Sequence, residues 1–79
     1  MMDRNEMLQQ LNKIFIDVLD DDEIIISEST SNADVDEWDS LNHIMLIVEI
    51  EGHFGIKFKS DEMLSWKNVG EMMDTILEK

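Results

Sequence analysis

The sequence predicts an all-α fold: a four-helix bundle with three longer helices, one short third helix and a long loop between the first and second. Two observations carry this. Apolar residues recur at helical spacing in three separate stretches, and the one β-like run, Ile24-Ile25-Ile26, has no second run of similar quality to pair with. At 79 residues the chain reads as a single domain over residues 1–79. A domain this small buries only about 60–65% of the surface its unfolded chain exposes. That is enough for one modest core and leaves little for a deep enclosed active site.

The first helix is expected over residues 5–19, where Met7, Leu8, Leu11, Ile14, Phe15, Val18 and Leu19 share a face. Asp3 followed by Glu6 fits a capping box at its start. The run Asp20-Asp21-Asp22-Glu23 opposes the negative end of the helix dipole and should stop or fray the helix. Ile24 to Ile26 then reads as loop whose isoleucines plug the core. Residues 27–39, rich in Ser, Asn, Asp and Thr, read as a further loop. A connection this long in so small a domain points to function.

The second helix is expected over residues 40–54. Leu41, Ile44, Met45, Leu46, Ile47, Val48 and Ile50 make it apolar on more than one side, so it should be the central, most buried helix. Gly52 and Gly55 bracket its end. Ser60-Asp61-Glu62 opens a short helix running to about residue 65. Asn68 with Glu71 caps a last helix carrying Val69, Met72, Met73, Ile76 and Leu77.

Nineteen acidic against six basic residues give a net charge of −13. That charge repels phosphate backbones and anionic lipid, so nucleic acid and membrane are poor partners and basic protein surfaces are good ones. Ten of the acids fall between Asp17 and Asp39, a stretch with no Lys or Arg. No cysteine is present, which excludes disulfides, thiolate metal sites and a thiol nucleophile of the chain's own. Met1 to Glu6 lacks an apolar signal core and no run is long enough to span a bilayer, so a cytoplasmic location is the default expectation; a monomer is expected as well.

Conventional catalytic and metal motifs fail. Ser40 is not in a G-x-S-x-G setting. His43 lies three residues on, but an orienting acid and an oxyanion hole have no evident place; both His43 and His53 read as exposed helical histidines. Asp34-Val35-Asp36 begins like a calcium loop. Trp38 then stands at the third ligand position, Asp39 at the glycine and Met45 at the closing glutamate, so no metal site is expected. Asp20, Asp22 and Glu23 read as a solvated charge run. The methionines Met63, Met72 and Met73 read as core rather than an adaptable surface. Trp66 should pack beneath the short helix. Trp38 has two readings, as core or as a flank for whatever Ser40 carries.

Ser40 also has two readings. Serine is common at helix starts. Equally, a phosphodiester on a serine there would meet free backbone N–H groups and the positive end of the helix dipole.

Trp38-Asp39-Ser40-Leu41-Asn42-His43-Ile44, then Leu46, Glu49, Glu51 and Phe54-Gly55-Ile56, resembles the acyl carrier protein family. The resemblance covers nearly the whole chain. D-S-L alone is weak, but with E-x-x-F-G-I at this distance in a short acidic chain it is specific. It implies a carrier without catalytic residues, not an enzyme. A phosphopantetheinyl transferase would place 4′-phosphopantetheine, taken from coenzyme A, on Ser40, and the arm's thiol would supply the sulfur the chain lacks. It implies that Asp39 and Leu41 flank the attachment site and help recognition. It further implies a partner-reading face comprising Trp38, Asn42, Met45, Glu49 and Glu51. Partners would be an acyl- or aminoacyl-loading ligase and a downstream acyltransferase or synthase. Some carriers of this family bury the acyl chain between their helices, which implies a pocket that Leu46, Ile50, Met63 and Trp66 would line, although Trp66 is bulky enough to fill it, so at most a small pocket is expected.

Many fatty-acid carriers have acids where this chain has Asn42, Met45 and Gly52. The difference points to a dedicated carrier in polysaccharide, lipid or natural-product assembly, and Trp38 in place of the family's glycine points the same way. The alternatives are an aminoacyl or peptidyl carrier for a free-standing adenylating enzyme, and an unmodified acidic adaptor for a basic protein surface.

Overall fold

Four helices form in the computed structural model, which describes residues 3–79: α1 (Arg4–Leu19), α2 (Ser40–Phe54), α3 (Ser60–Met63) and α4 (Val69–Glu78). Met1 and Met2, the start of the segment expected to lack a signal core, lie outside the described residues. No strand occurs among the described residues.

Helix α1 starts where Asp3 accepts a hydrogen bond from the Glu6 N–H at 2.8 Å. Met7, Leu11, Ile14, Phe15 and Leu19 form its buried stripe. The helix stops at Asp20, which adopts a left-handed conformation with φ 54°, a region that aspartate tolerates better than most residues. The N–H groups of Asp20 and Asp21 both turn back to the Ile16 carbonyl. The acidic run therefore ends the helix by a left-handed cap.

The next segment is extended and held by a side chain. Asn12 Oδ1 accepts from the Ile26 N–H (2.6 Å), and Asn12 Nδ2 donates to the Ile24 carbonyl (3.1 Å). The amide thus does for this segment what a neighbouring strand would do. Alternation follows: Ile24 and Ile26 enter the core, while Ile25 points outward and is 89% exposed. Only two of the three isoleucines plug the core.

Further along, the loop caps α4. The Val69 and Gly70 N–H groups donate to the Thr30 and Glu28 carbonyls at 2.9 and 2.7 Å. These are first-turn donors that a helix cannot satisfy itself. The approach is close enough that a Cβ at Gly70 would lie 3.0 Å from the Glu28 carbonyl oxygen. Arg4 secures the same corner, pairing with Glu28 at 2.6 Å and Asp74 at 2.8 Å.

Helix α2 is not the most buried helix. Leu46, Ile47 and Ile50 face the core, but Leu41 (71%), Val48 (60%), Ile44 and Met45 are exposed. The reason is the length of its neighbour: α3 is a single turn ending at Met63, short of the expected residue 65, and cannot cover a second side of α2. Helix α4 is the most buried for its length, with Val69, Gly70, Met72, Met73 and Ile76 inside, and α1 is the helix that packs against both α2 and α4. Gly55 ends α2 in a left-handed conformation with φ 66°, whereas Gly52 is simply helical. Trp66 packs edge-on against Phe58 and donates its Nε1–H to Thr75 Oγ1 at 2.9 Å. No polar or charged residue is buried among the described residues.

Two predictions follow from the loop. Asn12→Ala leaves the Ile26 N–H and Ile24 carbonyl without partners, and should lower stability by about 1–3 kcal/mol, read from urea unfolding. Arg4 hydrogen-bonds Glu28 and holds its carboxyl below the usual range. A lowered folded-state pKa stabilises fully above the unfolded value of about 4.3 and is lost as pH falls through the folded value. Glu28→Gln should therefore melt below wild type at neutral pH, and the gap should close below about pH 4, followed by thermal melts across the acid range.

Candidate functional site

The first turn of α2 is built by the residues that precede it. Asp39 is the cap: its carboxylate accepts from the Asn42 N–H at 2.8 Å, and its carbonyl accepts from the His43 N–H at 2.8 Å. Asn42 Nδ2 donates back to the Glu37 carbonyl at 2.7 Å. The Asp21 carboxyl beside Glu37 hydrogen-bonds it and holds its pKa above the usual range. Ser40 is the first helical residue and is exposed. Its hydroxyl makes no hydrogen bond among the described residues. With Asp39 serving Asn42, the Ser40 and Leu41 N–H groups are left as free donors at the positive end of the dipole.

Trp38 is core, only 7% exposed, with its ring edge-on to Phe15 at 4.9 Å between centroids. Its Nε1–H donates to His43 Nδ1 at 2.9 Å. An indole N–H can only donate, so Nδ1 accepts and the imidazole proton sits on Nε2. That nitrogen donates to the Met63 carbonyl at 2.9 Å. His43 is thus a neutral, half-buried bridge from the loop to the end of α3, not the exposed histidine expected. With both nitrogens engaged it is no general base for Ser40. His53 is exposed and meets Gln10 Oε1 through Nε2 at 2.6 Å.

A cleft of about 350 Å³ opens beside Ser40. Asn32, Asp39, Ser40, Ile44, Leu64 and Lys67 form its exposed mouth; Trp38, His43, Met63 and Trp66 form its floor. Of the expected pocket set, Met63 and Trp66 stand here. Leu46 and Ile50 do not: both are fully buried in the core, on a face already filled by packing. A second groove of about 430 Å³ lies between α1 and α2, lined by Asp17, Val18, Ile44, Met45, Val48 and Glu49.

The expected partner-reading residues divide. Met45 and Glu49 are exposed side by side on α2. Trp38 is too buried to offer a partner a surface. Asn42 is committed to the Glu37 carbonyl, and Glu51 accepts the Phe58 N–H at 2.8 Å, so its work is to hold the α2–α3 connection. Residues that sequence reasoning missed are His43 as a bridge, and Leu64 and Lys67 at the mouth. Trp38 and His43 lie close in sequence, but nothing local announces the Met63 carbonyl twenty residues on.

Among the described residues no helix is long and apolar enough to cross a membrane, and no group of three or more His, Asp or Glu side chains is placed to hold a metal ion.

A family model described as "Phosphopantetheine attachment site" matches residues 9–76. An acyl carrier protein of Rubrobacter xylanophilus is 35% identical over 77 residues, covering 98% of this chain and 95% of that protein. Another, from Thermosynechococcus vestitus, is 30% identical over 79 residues, covering 99% and 96%. The solution NMR structure of a holo acyl carrier protein from Geobacter metallireducens superposes with a TM-score of 0.84 at 46% identity, covering 91% of this chain and 83% of that one. The similarity therefore takes in all four helices and the long loop.

The cap makes a graded prediction. Asp39→Ala should lower stability by about 1 kcal/mol, while Asp39→Asn, which still caps, should recover most of it. Chemical denaturation of both variants separates capping from charge.

Proposed function

The chain belongs to the phosphopantetheine attachment-site family and is an acyl carrier protein rather than an enzyme, and we propose that Ser40 is its point of attachment. The observation that carries the assignment is the Ser40 hydroxyl: exposed, unpaired, at the head of α2 and on the rim of the cleft. The surroundings fit the group. Two free N–H groups at the helix start suit a phosphodiester, Lys67 puts a cation on the same rim, and the cleft offers a partly apolar bed beside it. When bound, the group supplies a terminal thiol that holds acyl cargo as a thioester.

The residues around Ser40 prepare it for modification without performing it. Asp39 fixes the first turn, and the Trp38–His43 bond fixes the approach to it. In the modification the Ser40 Oγ–phosphorus bond forms and the pyrophosphate bond of coenzyme A breaks. Adenosine 3′,5′-bisphosphate leaves, and the serine proton goes to a base on the phosphopantetheinyl transferase, since His43 has no free nitrogen. Asp39 presents a carboxylate and Leu41 an exposed apolar side chain to that enzyme.

Loading and acceptor enzymes would read the face formed by Leu41, Met45, Val48 and Glu49. It is more apolar and less acidic than the net charge suggests, which supports a dedicated pathway with its own ligase and acyltransferase or synthase. The net charge disfavours nucleic acid and membrane as partners, and we place the carrier in the cytoplasm as a monomer.

Incubation with coenzyme A and a promiscuous phosphopantetheinyl transferase, followed by intact mass, tests the assignment. The expected result is a gain of one phosphopantetheine in wild type and none in Ser40→Ala. No gain with several transferases, or an unchanged gain in Ser40→Ala, overturns it.

A further inference from the structure

The buried stripe of α2 runs through Ile50 and Leu46, and His43 continues it at helical spacing (i, i+3, i+7) to the floor of the cleft. The residue at which the core meets the cleft is therefore polar, with both ring nitrogens hydrogen-bonded. It stands between two indoles, stacked on Trp38 and edge-on to Trp66, each at 6.0 Å between centroids. Trp66 is itself tied to Thr75. Behind this wall Leu46 and Ile50 have no exposure and line neither cleft.

We infer that His43 sets how deep a cargo can go: by joining Trp38 to the Met63 carbonyl it closes the Ser40 cleft against the core, so that short acyl groups nest in the cleft and longer ones find no further room. An acyl chain pushing past His43 would have to part both hydrogen bonds, leaving an indole N–H and a carbonyl unpaired, before it buried its first methylene in the core. The cleft, at about 350 Å³, lies at the small end of ligand sites. His43 is thus a positioning residue that selects cargo by length, acting through Trp38 and α3 rather than by touching the reacting atoms. The inference rests on the Ser40 assignment.

The test loads the protein from a series of acyl-coenzyme A thioesters, butanoyl to decanoyl, with a promiscuous transferase. Intact mass checks each loading. The readouts are the melting temperature and the two indole N–H resonances of Trp38 and Trp66. In wild type both should respond to the shortest groups and then stop changing with length. In His43→Ala they should keep moving, with a melting temperature gain of about 4–8 °C or more across the series. His43→Gln, whose amide can accept from Trp38 and donate to Met63, should restore the plateau. Trp38→Phe, which keeps an aromatic ring and removes the bond, should behave like His43→Ala in melting temperature and in the remaining Trp66 indole resonance, and serves in its place should that variant fail to fold. Wild type that keeps changing up to decanoyl, or wall variants that plateau where wild type does, overturns the inference. A missing mass gain instead overturns the Ser40 assignment.

Discussion

The two hydrogen bonds from Asn12 to Ile24 and Ile26 hold much more than a tripeptide. Residues 20–39 form a long connection without helix or strand, in a domain small enough that its core cannot pin such a segment by burial alone. Asn12 fixes the register, so two isoleucines go in and one goes out. From there the chain is delivered to the start of α4, where Glu28 and Thr30 spend their carbonyls on the helix's first N–H groups. The loop is thus both capped by α1 and a cap for α4. Only because it is held at these two places does Trp38 arrive over Phe15, and only because Trp38 is seated does Ser40 begin α2 beside a shaped cleft.

Charge works against this economy of contacts. With a net charge of −13, like charges repel across the whole surface. None is buried among the described residues, so the repulsion is screened by water and salt. Arg4 is set where it relieves most, joining the α1 start, the loop and α4 through Glu28 and Asp74. As an exposed network it stabilises modestly; its larger effect is to choose the packing of three elements at one corner. On α2 the pattern is reversed. There the surface is apolar, with Glu49 at its edge, so the strip beside Ser40 is where this acidic protein is least repelled by another protein.

Local chemistry was well legible in the sequence. Apolar spacing located three helices, and Asp3 and Asn68 marked the starts of two of them because capping is a contact made within three residues; Asp39, read only as a flank of Ser40, proved to be the cap of the third. Ser40 stood out for the same local reason. What sequence reasoning missed depended on neighbours. Spacing shows that α2 has a second apolar side but not that α3, one turn long, leaves it open. Leu46 and Ile50 looked like pocket residues because being apolar and facing inward is common to pocket walls and to filled core. Glu51 looked like a partner contact because a carboxylate on α2 does not reveal its bond to the Phe58 N–H seven residues on. His43 read as exposed because its second partner is a backbone carbonyl, which every residue possesses and no sequence pattern singles out.

A stability argument explains why the floor of the cleft should be shut. A 79-residue domain has a typical stability of roughly 4–12 kcal/mol. An empty chamber inside the core as large as the present cleft, 350 Å³, would cost about 8 kcal/mol at the usual ~24 cal/mol per Å³ of cavity. That is most or all of the folding free energy. A carrier of this size therefore has two ways to shelter a cargo: keep a space that water fills at the surface, or open the core only when an acyl chain enters and repays the cost by its own burial. The second requires a wall that yields easily, such as loosely packed aliphatic side chains. Here the wall is an imidazole bonded on both sides between two indoles, so opening it would break polar contacts that an acyl chain cannot replace. The hydrogen bonds that seat Ser40 at the head of α2 and those that close the space beneath it meet in the same residue, His43.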